Sequence, residues 1–183
     1  MKNKIMLIVG HSFDKKGCYS KELDTHEYDF CMKVATELFA REMFYDVDLV
    51  LKSRNQNYSD LPKEVNSFNP DYVIELHLNS SDKRDVQGTE HLYCNGSVRG
   101  KEMAEVLQKN CIKQFGFRDR GLDGRVNGEN GHLLLSKTIA PCVIAEPFFL
   151  SDKTLTKEQL EDLKEKYIKY LNVSIREIIN RQI

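Results

Sequence analysis

The sequence predicts an α/β fold, in which helices flank a mainly parallel sheet of about six strands and a single domain spans residues 1–183. Short apolar runs, typical of buried strands, alternate along the chain with segments of helical periodicity. The 183 residues, 40% of them hydrophobic, suit one domain that can bury a core without disulfides or a structural metal. No repeat, low-complexity segment or linker divides the chain.

Six segments are predicted as strands. Residues 4–9 form a continuous apolar run that suits a strand covered on both faces, and 71–78 is strongly apolar. His91 lies within a predicted strand and is expected to face solvent. The glycine-rich stretch 121–131 is predicted as a loop of a length that often carries function. In chain order, the predicted strands span 4–9, 45–51, 71–78, 88–94, 132–136 and 142–146.

Helices are predicted over 27–43, 59–68, 97–115 and from 156 onward. Ser97 is expected to cap the third helix and Gly116 to end it. Thr156 and Gln159 form a capping-box pattern at the start of the last helix. That helix carries an apolar stripe, which either packs on the sheet or forms the seam of a homodimer through the C-terminal helix. The stripe consists of Leu160, Leu163, Tyr167, Leu171, Ile175 and Ile178.

Charge and cysteine content exclude several classes of function. Lys plus Arg is 27 and Asp plus Glu is 28, a balance that argues against capture of nucleic acid or acidic membranes. No apolar run is long enough to predict a membrane span. The run 5–9 is too short for a signal peptide, and five cysteines without a CxxC pair indicate reduced thiols. We therefore expect the protein to be made in a cytoplasm.

Polar residues collect where the predicted strands end. His11 follows the first strand, His77 lies at the end of the third, and Glu146 ends the last. Glu27 opens the first helix. Parallel strands bring these four groups to one edge of the sheet, where ligands usually bind. Taken singly, His11 could simply hydrogen-bond a loop carbonyl and Glu27 could only complement the helix dipole.

Together these residues suggest zinc. Two imidazoles and one carboxylate form a catalytic zinc set with a fourth position left for water. Zinc polarises a carbonyl oxygen and makes water more acidic, while a second carboxylate can move the proton to a leaving amine. His11, Glu27 and His77 suit the ligand positions and Glu146 suits the base, although spacing alone does not assign these roles.

The chain resembles a known family, the zinc-dependent N-acetylmuramoyl-L-alanine amidases of the amidase-3 type, over about residues 4–180. Each matching element is short, and the resemblance depends on their order and spacing. The elements are Ile8-Val9-Gly10-His11, Glu27-Tyr28-Asp29-Phe30, Glu75-Leu76-His77-Leu78-Asn79-Ser80, Gly88-Thr89-Glu90, Arg120-Gly121 and the run from Pro141 through Glu146 to Ser151.

The resemblance implies that His11, Glu27 and His77 bind zinc and that Glu146 is catalytic. It implies hydrolysis of the amide between N-acetylmuramic acid and L-alanine, with peptidoglycan or a muropeptide as substrate. After His11, the family's Gly-His-Gly-Gly is replaced by Gly-His-Ser-Phe, so the loop there is expected to differ in shape.

The resemblance also suggests that Asn79 and Arg120 contact the substrate. Without an export signal, the chain resembles a phage or prophage endolysin that reaches the cell wall through a membrane pore. Three alternatives remain open: a zinc exopeptidase or other amidohydrolase, a non-catalytic peptidoglycan-binding module on the same fold, and a hydrolase that uses Cys18 or Cys31 with His11.

Overall fold

The computed structural model describes residues 2–41, 46–54, 57–83 and 85–183, in which strands and helices are arranged around one large sheet. The strands are β1 (Asn3–Val9), β2 (Tyr19–Ser20), β3 (Thr25–His26), β4 (Val47–Ser53), β5 (Tyr72–Leu76), β6 (Thr89–Cys94), β7 (Asp119–Arg125) and β8 (Cys142–Glu146). Six of them form one sheet in the order β4-β1-β5-β8-β6-β7, and β2 pairs with β3 in a small separate sheet. Only the contact between β6 and β8 in the large sheet is antiparallel. The predicted fold class is confirmed.

Helices cover both faces of the large sheet. They are α1 (Glu27–Ala40), α2 (Leu61–Ser67), α3 (Val98–Phe115), α4 (His132–Lys137) and α5 (Lys157–Arg181), with a 3-10 turn at Tyr58–Asp60. α1, α3 and α5 pack on one face, and α2 and α4 pack on the other. Successive residues of β1 alternate between these two apolar clusters, which explains why its sequence is a continuous apolar run rather than an alternating one.

The predicted caps of the third and last long helices are confirmed. The Ser97 hydroxyl accepts a hydrogen bond from the Gly100 amide at the start of α3, and Gly116 ends that helix with a left-handed φ of 73°. At the start of α5, the Thr156 side chain accepts from the Gln159 amide and the Gln159 side chain accepts from the Thr156 amide. These bonds satisfy amide and carbonyl groups that have no partner inside the helix.

The predicted identities of two segments around the glycine-rich stretch were wrong. Asp119–Arg125 is a strand rather than part of a loop, and it pairs with β6 at the edge of the sheet. An edge strand needs few apolar side chains, so its composition resembled that of a loop. The segment predicted as a strand over 132–136 is the helix His132–Lys137. A short apolar run does not distinguish a strand from a buried helical turn.

Other predicted bounds shifted. The predicted strand over 45–51 runs over Val47–Ser53, and its first residue, Tyr45, lies outside the described residues. The first helix ends at Ala40, three residues before its predicted end at Met43, which also lies outside the described residues.

His91 was predicted to face solvent, and this is wrong. Its side chain is fully buried, because β6 lies between β7 and β8 and is covered by α3 and α5. One ring nitrogen contacts the Gln108 side chain and the other contacts the Tyr170 hydroxyl, at 2.6 Å. The two helices cover the face of the sheet from which the ring projects, so it has no access to solvent.

The apolar stripe of the last helix packs into this chain's own core. All six of its members are buried together with side chains of α1 and α3. The stripe is therefore not free to form a dimer seam, and the prediction of a homodimer through this helix has no support. Among the described residues, no helix combines the length and the apolar character that crossing a membrane requires.

Candidate metal centre and active site

The carboxyl ends of three strands and the start of one helix build the candidate site. His11 lies two residues after β1, His77 directly follows β5, and Glu146 ends β8. Glu27 is the first residue of α1, and its amide donates to the Cys18 carbonyl. β1, β5 and β8 are successive parallel neighbours, so their ends share one edge of the sheet, as the sequence predicted.

Close backbone approach brings the two histidines together. A Cβ atom at Gly10 would lie 2.2 Å from Nε2 of His77, so only glycine lets β1 pass beside this ring. The next residue, His11, has a left-handed φ of 63° that turns its side chain at the strand end. The two imidazole rings lie with their centroids 4.9 Å apart and their planes at 71°.

The Glu27 carboxylate lies between both imidazoles. Its Oε2 is 3.0 Å from Nε2 of His11, and its Oε1 is 2.8 Å from Nδ1 of His77. The side chain is only 3% exposed, and the backbone amides of Cys18 and Leu78 donate to its two oxygens. Four donors therefore fix this carboxylate in one orientation.

Electrostatic coupling within this trio is strong. Burial raises the pKa of Glu27, but the hydrogen bonds from His11 and His77 outweigh burial and lower that pKa well below its ordinary value. Burial lowers the pKa of His77, but the carboxylates of Glu75 and Glu27 outweigh it and raise that pKa to about 10. The lowered pKa of Glu27 and the raised pKa of His77 both favour the charged forms of these two groups, because each stabilises the charge of the other.

The donor set fits a metal ion. One ligand atom from each of His11, Glu27 and His77 lies within 4.8 Å of the others. Two imidazole nitrogens and one carboxylate oxygen are a set that zinc uses in catalytic sites, with a further position open to water or substrate. The three residues predicted as ligands thus form a candidate metal centre.

Glu146 lies in the same cleft, in an environment suited to proton transfer. The Asn79 side chain donates to Oε2 of Glu146 at 2.8 Å. Burial raises the pKa of Glu146 to about 7, with His77 opposing this rise and Glu90 adding to it. A carboxyl group with such a pKa can both accept and return a proton near neutral pH.

The predicted substrate contacts also lie in this cleft. The cleft has a volume of about 920 Å³, and all six predicted site residues line it. Arg120 lies 3.4 Å from a carboxylate oxygen of Glu90, and its guanidinium is 5.0 Å from the ring centroid of Phe149. The same oxygen of Glu90 is 3.4 Å from the Asn79 amide nitrogen. Asn79 and Arg120 are therefore joined through Glu90.

The sequence analysis assigned no role to two acidic residues of the cleft, Glu75 and Glu90. Glu90 lies in a motif that had been noted only for its resemblance. Glu75 could have been found from sequence, because an acidic residue in the middle of an apolar strand is costly to bury without a partner.

The cysteines give no support to a thiol nucleophile. Burial, and to a lesser degree the charge of Glu27, raises the pKa of Cys18, while Cys31 is completely buried and its pKa is also raised. Raised pKa values leave both groups as thiols at neutral pH, and the thiol is the unreactive form.

Several solved structures have the same fold. An N-acetylmuramoyl-L-alanine amidase from Clostridium difficile 630 is 20% identical, with a TM-score of 0.82 and coverage of 98% of this chain and 97% of that one. The catalytic domain of the amidase CwlV from Bacillus (Paenibacillus) polymyxa var. colistinus is 21% identical, with a TM-score of 0.83 and coverage of 97% and 98%. The catalytic domain of the CD27L endolysin targeting Clostridia difficile is 24% identical, with a TM-score of 0.70 and coverage of 96% and 97%.

The sequence of this chain matches a known protein family over most of its length. No curated protein matches the chain. The profile of the Amidase_3 family, described as N-acetylmuramoyl-L-alanine amidase, matches residues 5–175. That match covers nearly the whole chain, including each strand end that contributes to the cleft. The chain therefore belongs to the Amidase_3 family of N-acetylmuramoyl-L-alanine amidases.

Proposed function

We propose that this protein is a zinc-dependent N-acetylmuramoyl-L-alanine amidase whose single catalytic domain spans residues 1–183. Its substrate is peptidoglycan or a muropeptide, and it cleaves the amide between the lactyl group of N-acetylmuramic acid and L-alanine. The observation that carries this proposal is the Glu27 carboxylate, which lies between the imidazoles of His11 and His77 in the cleft that also holds Glu146. Membership of the family supports the choice of substrate.

In this proposal His11, Glu27 and His77 hold the zinc ion. Zinc bound there supplies a Lewis acid that polarises the substrate carbonyl and makes water more acidic. The chain's contribution is to fix the ligands: two backbone amides orient Glu27, and the close approach of Gly10 confines the ring of His77. Such confinement keeps the ligands in place before the ion binds.

Glu146 is the proposed general base and acid. It accepts a proton from water as the water oxygen bonds to the carbonyl carbon, and it returns that proton to the alanine nitrogen as the C–N bond breaks. The products are the lactyl carboxylate and a free alanine amine. The hydrogen bond from Asn79 holds one oxygen of Glu146, which leaves the other oxygen free to carry the proton.

Asn79 and Arg120 are the proposed substrate contacts. Both are tied to Glu90, so a polar group of the substrate that enters the cleft meets a connected set of donors and acceptors. The likeness to an endolysin catalytic domain concerns the fold, and release of this protein to the cell wall through a membrane pore remains a prediction.

Digestion of purified peptidoglycan tests the proposal. Mass spectrometry should find a new free amino terminus on alanine and intact N-acetylmuramic acid in the products. Glu146→Gln should bind zinc as the wild type does and lose at least about 100-fold in turnover, because its amide cannot accept the proton. Release of a terminal residue from the stem peptide without the amidase products would favour the exopeptidase, and cleavage of a different amide alone would favour another amidohydrolase. Binding without any cleavage by the wild type would favour the non-catalytic module.

A further inference from the structure

Glu75 is a buried carboxylate that lines the cleft and has apolar neighbours on both adjacent strands. It lies within β5, between Ile8 of β1 and Ile144 of β8, and its side chain is only 1% exposed. The side chains of Ile8 and Ile144 belong to the apolar cluster beneath α2 and α4. Because burial of an unpaired carboxylate is costly, this position requires a polar partner.

The nearest partner of Glu75 is a proposed zinc ligand. Its Oε2 lies 3.4 Å from Nε2 of His77. Its Oε1 has no hydrogen-bond partner among the residues that the structure describes, and Nη1 of Arg54 lies 4.0 Å from it, too far for a hydrogen bond. The guanidinium of Arg54 contributes positive charge at this distance, and the imidazole of His77 is the nearer group that can donate a hydrogen bond to the buried carboxylate.

The two nitrogens of His77 face two different carboxylates. Nδ1 is 2.8 Å from Oε1 of Glu27, inside the candidate metal centre, whereas Nε2 points toward Glu75, away from that centre. A neutral imidazole carries its proton on one nitrogen and a lone pair on the other. Because Glu75 lies next to Nε2, this nitrogen can keep its proton when a metal ion takes the place of the proton on Nδ1.

We propose that Glu75 is a positioning residue, which accepts a hydrogen bond from Nε2–H of His77 and thereby presents Nδ1 to the metal ion. The inference rests on the proposed function to the extent that His77 is a metal ligand. A carboxylate behind a ligating histidine fixes the tautomer and orientation of the ring and increases its affinity for the ion. The close approach of Gly10 confines the same ring, so the backbone and Glu75 act on it together.

The test is zinc affinity, measured on metal-free protein by competition with a chromogenic chelator. Replacement of Glu75 by leucine removes both the charge and the hydrogen bond, and we expect zinc to bind about 10- to 100-fold more weakly. Glu75→Gln keeps an acceptor without the charge, so its affinity should lie between those of the wild type and Glu75→Leu. Thermal unfolding of both metal-free variants should show a single cooperative transition, so that a loss of zinc affinity is not the result of unfolding.

Asp152 offers the matched control. It is also buried, and it accepts hydrogen bonds from Thr154 rather than from a histidine. Asp152→Asn should leave the zinc affinity unchanged. A Glu75→Leu variant that binds zinc within twofold of the wild type overturns the inference while the proposed zinc site stands. Failure of the wild type to bind zinc overturns both.

The histidine tautomer provides a second readout that a purely structural role would not affect. Long-range ¹H–¹⁵N spectra of the zinc-loaded wild type should show His77 protonated at Nε2, with Nδ1 on the metal. In Glu75→Leu, we expect this signal to shift or broaden as the ring loses its fixed orientation. A wild-type spectrum with the proton on Nδ1 of His77 contradicts the proposed role of Glu75.

Discussion

Glu27 shows how single residues define the site. Its carboxylate contacts two imidazoles and two backbone amides, although its partners come from three separate parts of the chain. From sequence it could equally have been an acidic residue placed to complement the dipole of α1. The short distances to both histidines decide between these roles, because a residue that served only the helix dipole would not need such partners.

The side chain of Glu146 should make the stability of the protein depend on pH. Its pKa is about 7 in the folded protein and close to 4.5 in an unfolded chain. The folded state therefore binds this proton more tightly, and the wild type loses stability as the pH rises from about 4.5 through 7. Glutamine cannot ionise, so metal-free Glu146→Gln should gain about 3 kcal/mol in free energy of unfolding relative to the metal-free wild type between pH 4.5 and pH 8.

Urea denaturation of both metal-free proteins at several pH values measures that difference. The stability of the two proteins should diverge as the pH rises, with most of the change between pH 5 and pH 7. A difference that stays constant over this range, or one that shrinks as the pH rises, would show that burial does not hinder ionisation of Glu146.

At the scale of elements, parallel neighbours explain why the site residues could be found from sequence. The sequences of β1, β5 and β8 are short apolar runs. The polar residues at or directly after the ends of these strands were correctly predicted to lie at one edge of the sheet. The edge strand β7 and the short helix α4 were missed. Their identity depends on what they pack against: β7 pairs with β6, and α4 contributes to the apolar cluster beneath the sheet.

The capping box at the start of α5 should contribute measurably to the stability of the protein. Replacement of Thr156 by alanine removes the side-chain oxygen that accepts from the Gln159 amide, and it should lower the free energy of unfolding by about 1 kcal/mol. Thr36 is the control, because its hydroxyl bonds back to the Met32 carbonyl on the exposed side of α1. Thr36→Ala should be neutral or slightly stabilising, since alanine favours a helix interior.

Thermal or urea unfolding compares the two variants. Equal losses from Thr156→Ala and Thr36→Ala would indicate that loss of a threonine side chain, rather than loss of the cap, causes the effect. Zinc affinity serves as a further check, because the start of α5 contributes no residue to the cleft and neither variant should change it.

Ligand binding connects the site with the stability of the whole molecule. An ion that binds only the folded state stabilises it by about 2.7 kcal/mol when its free concentration is 100 times the dissociation constant. For a domain of this size, removal of zinc by a chelator should therefore lower the thermal midpoint by about 5–10 °C. Differential scanning calorimetry, with and without added zinc, measures this change.

His11→Ala removes one ligand from the centre and provides the comparison. Its thermal midpoint should respond much less to zinc than that of the wild type, because two remaining ligands bind the ion weakly. If both proteins shift equally, the ion binds elsewhere on the chain. If neither shifts, the His11, Glu27 and His77 cluster does not bind zinc at these concentrations.

The sequence by itself determined the α/β class, the central parallel strands, the helix caps and the residues that gather at one edge of the sheet. These features follow from local patterns: apolar runs, helical spacing and capping residues act over a few neighbouring positions. Only the tertiary structure decided that His91 is buried, that the stripe of α5 packs inside its own chain, and that Glu75 lies behind His77. Each of these depends on contacts between distant segments, and such contacts leave no periodic pattern in the sequence.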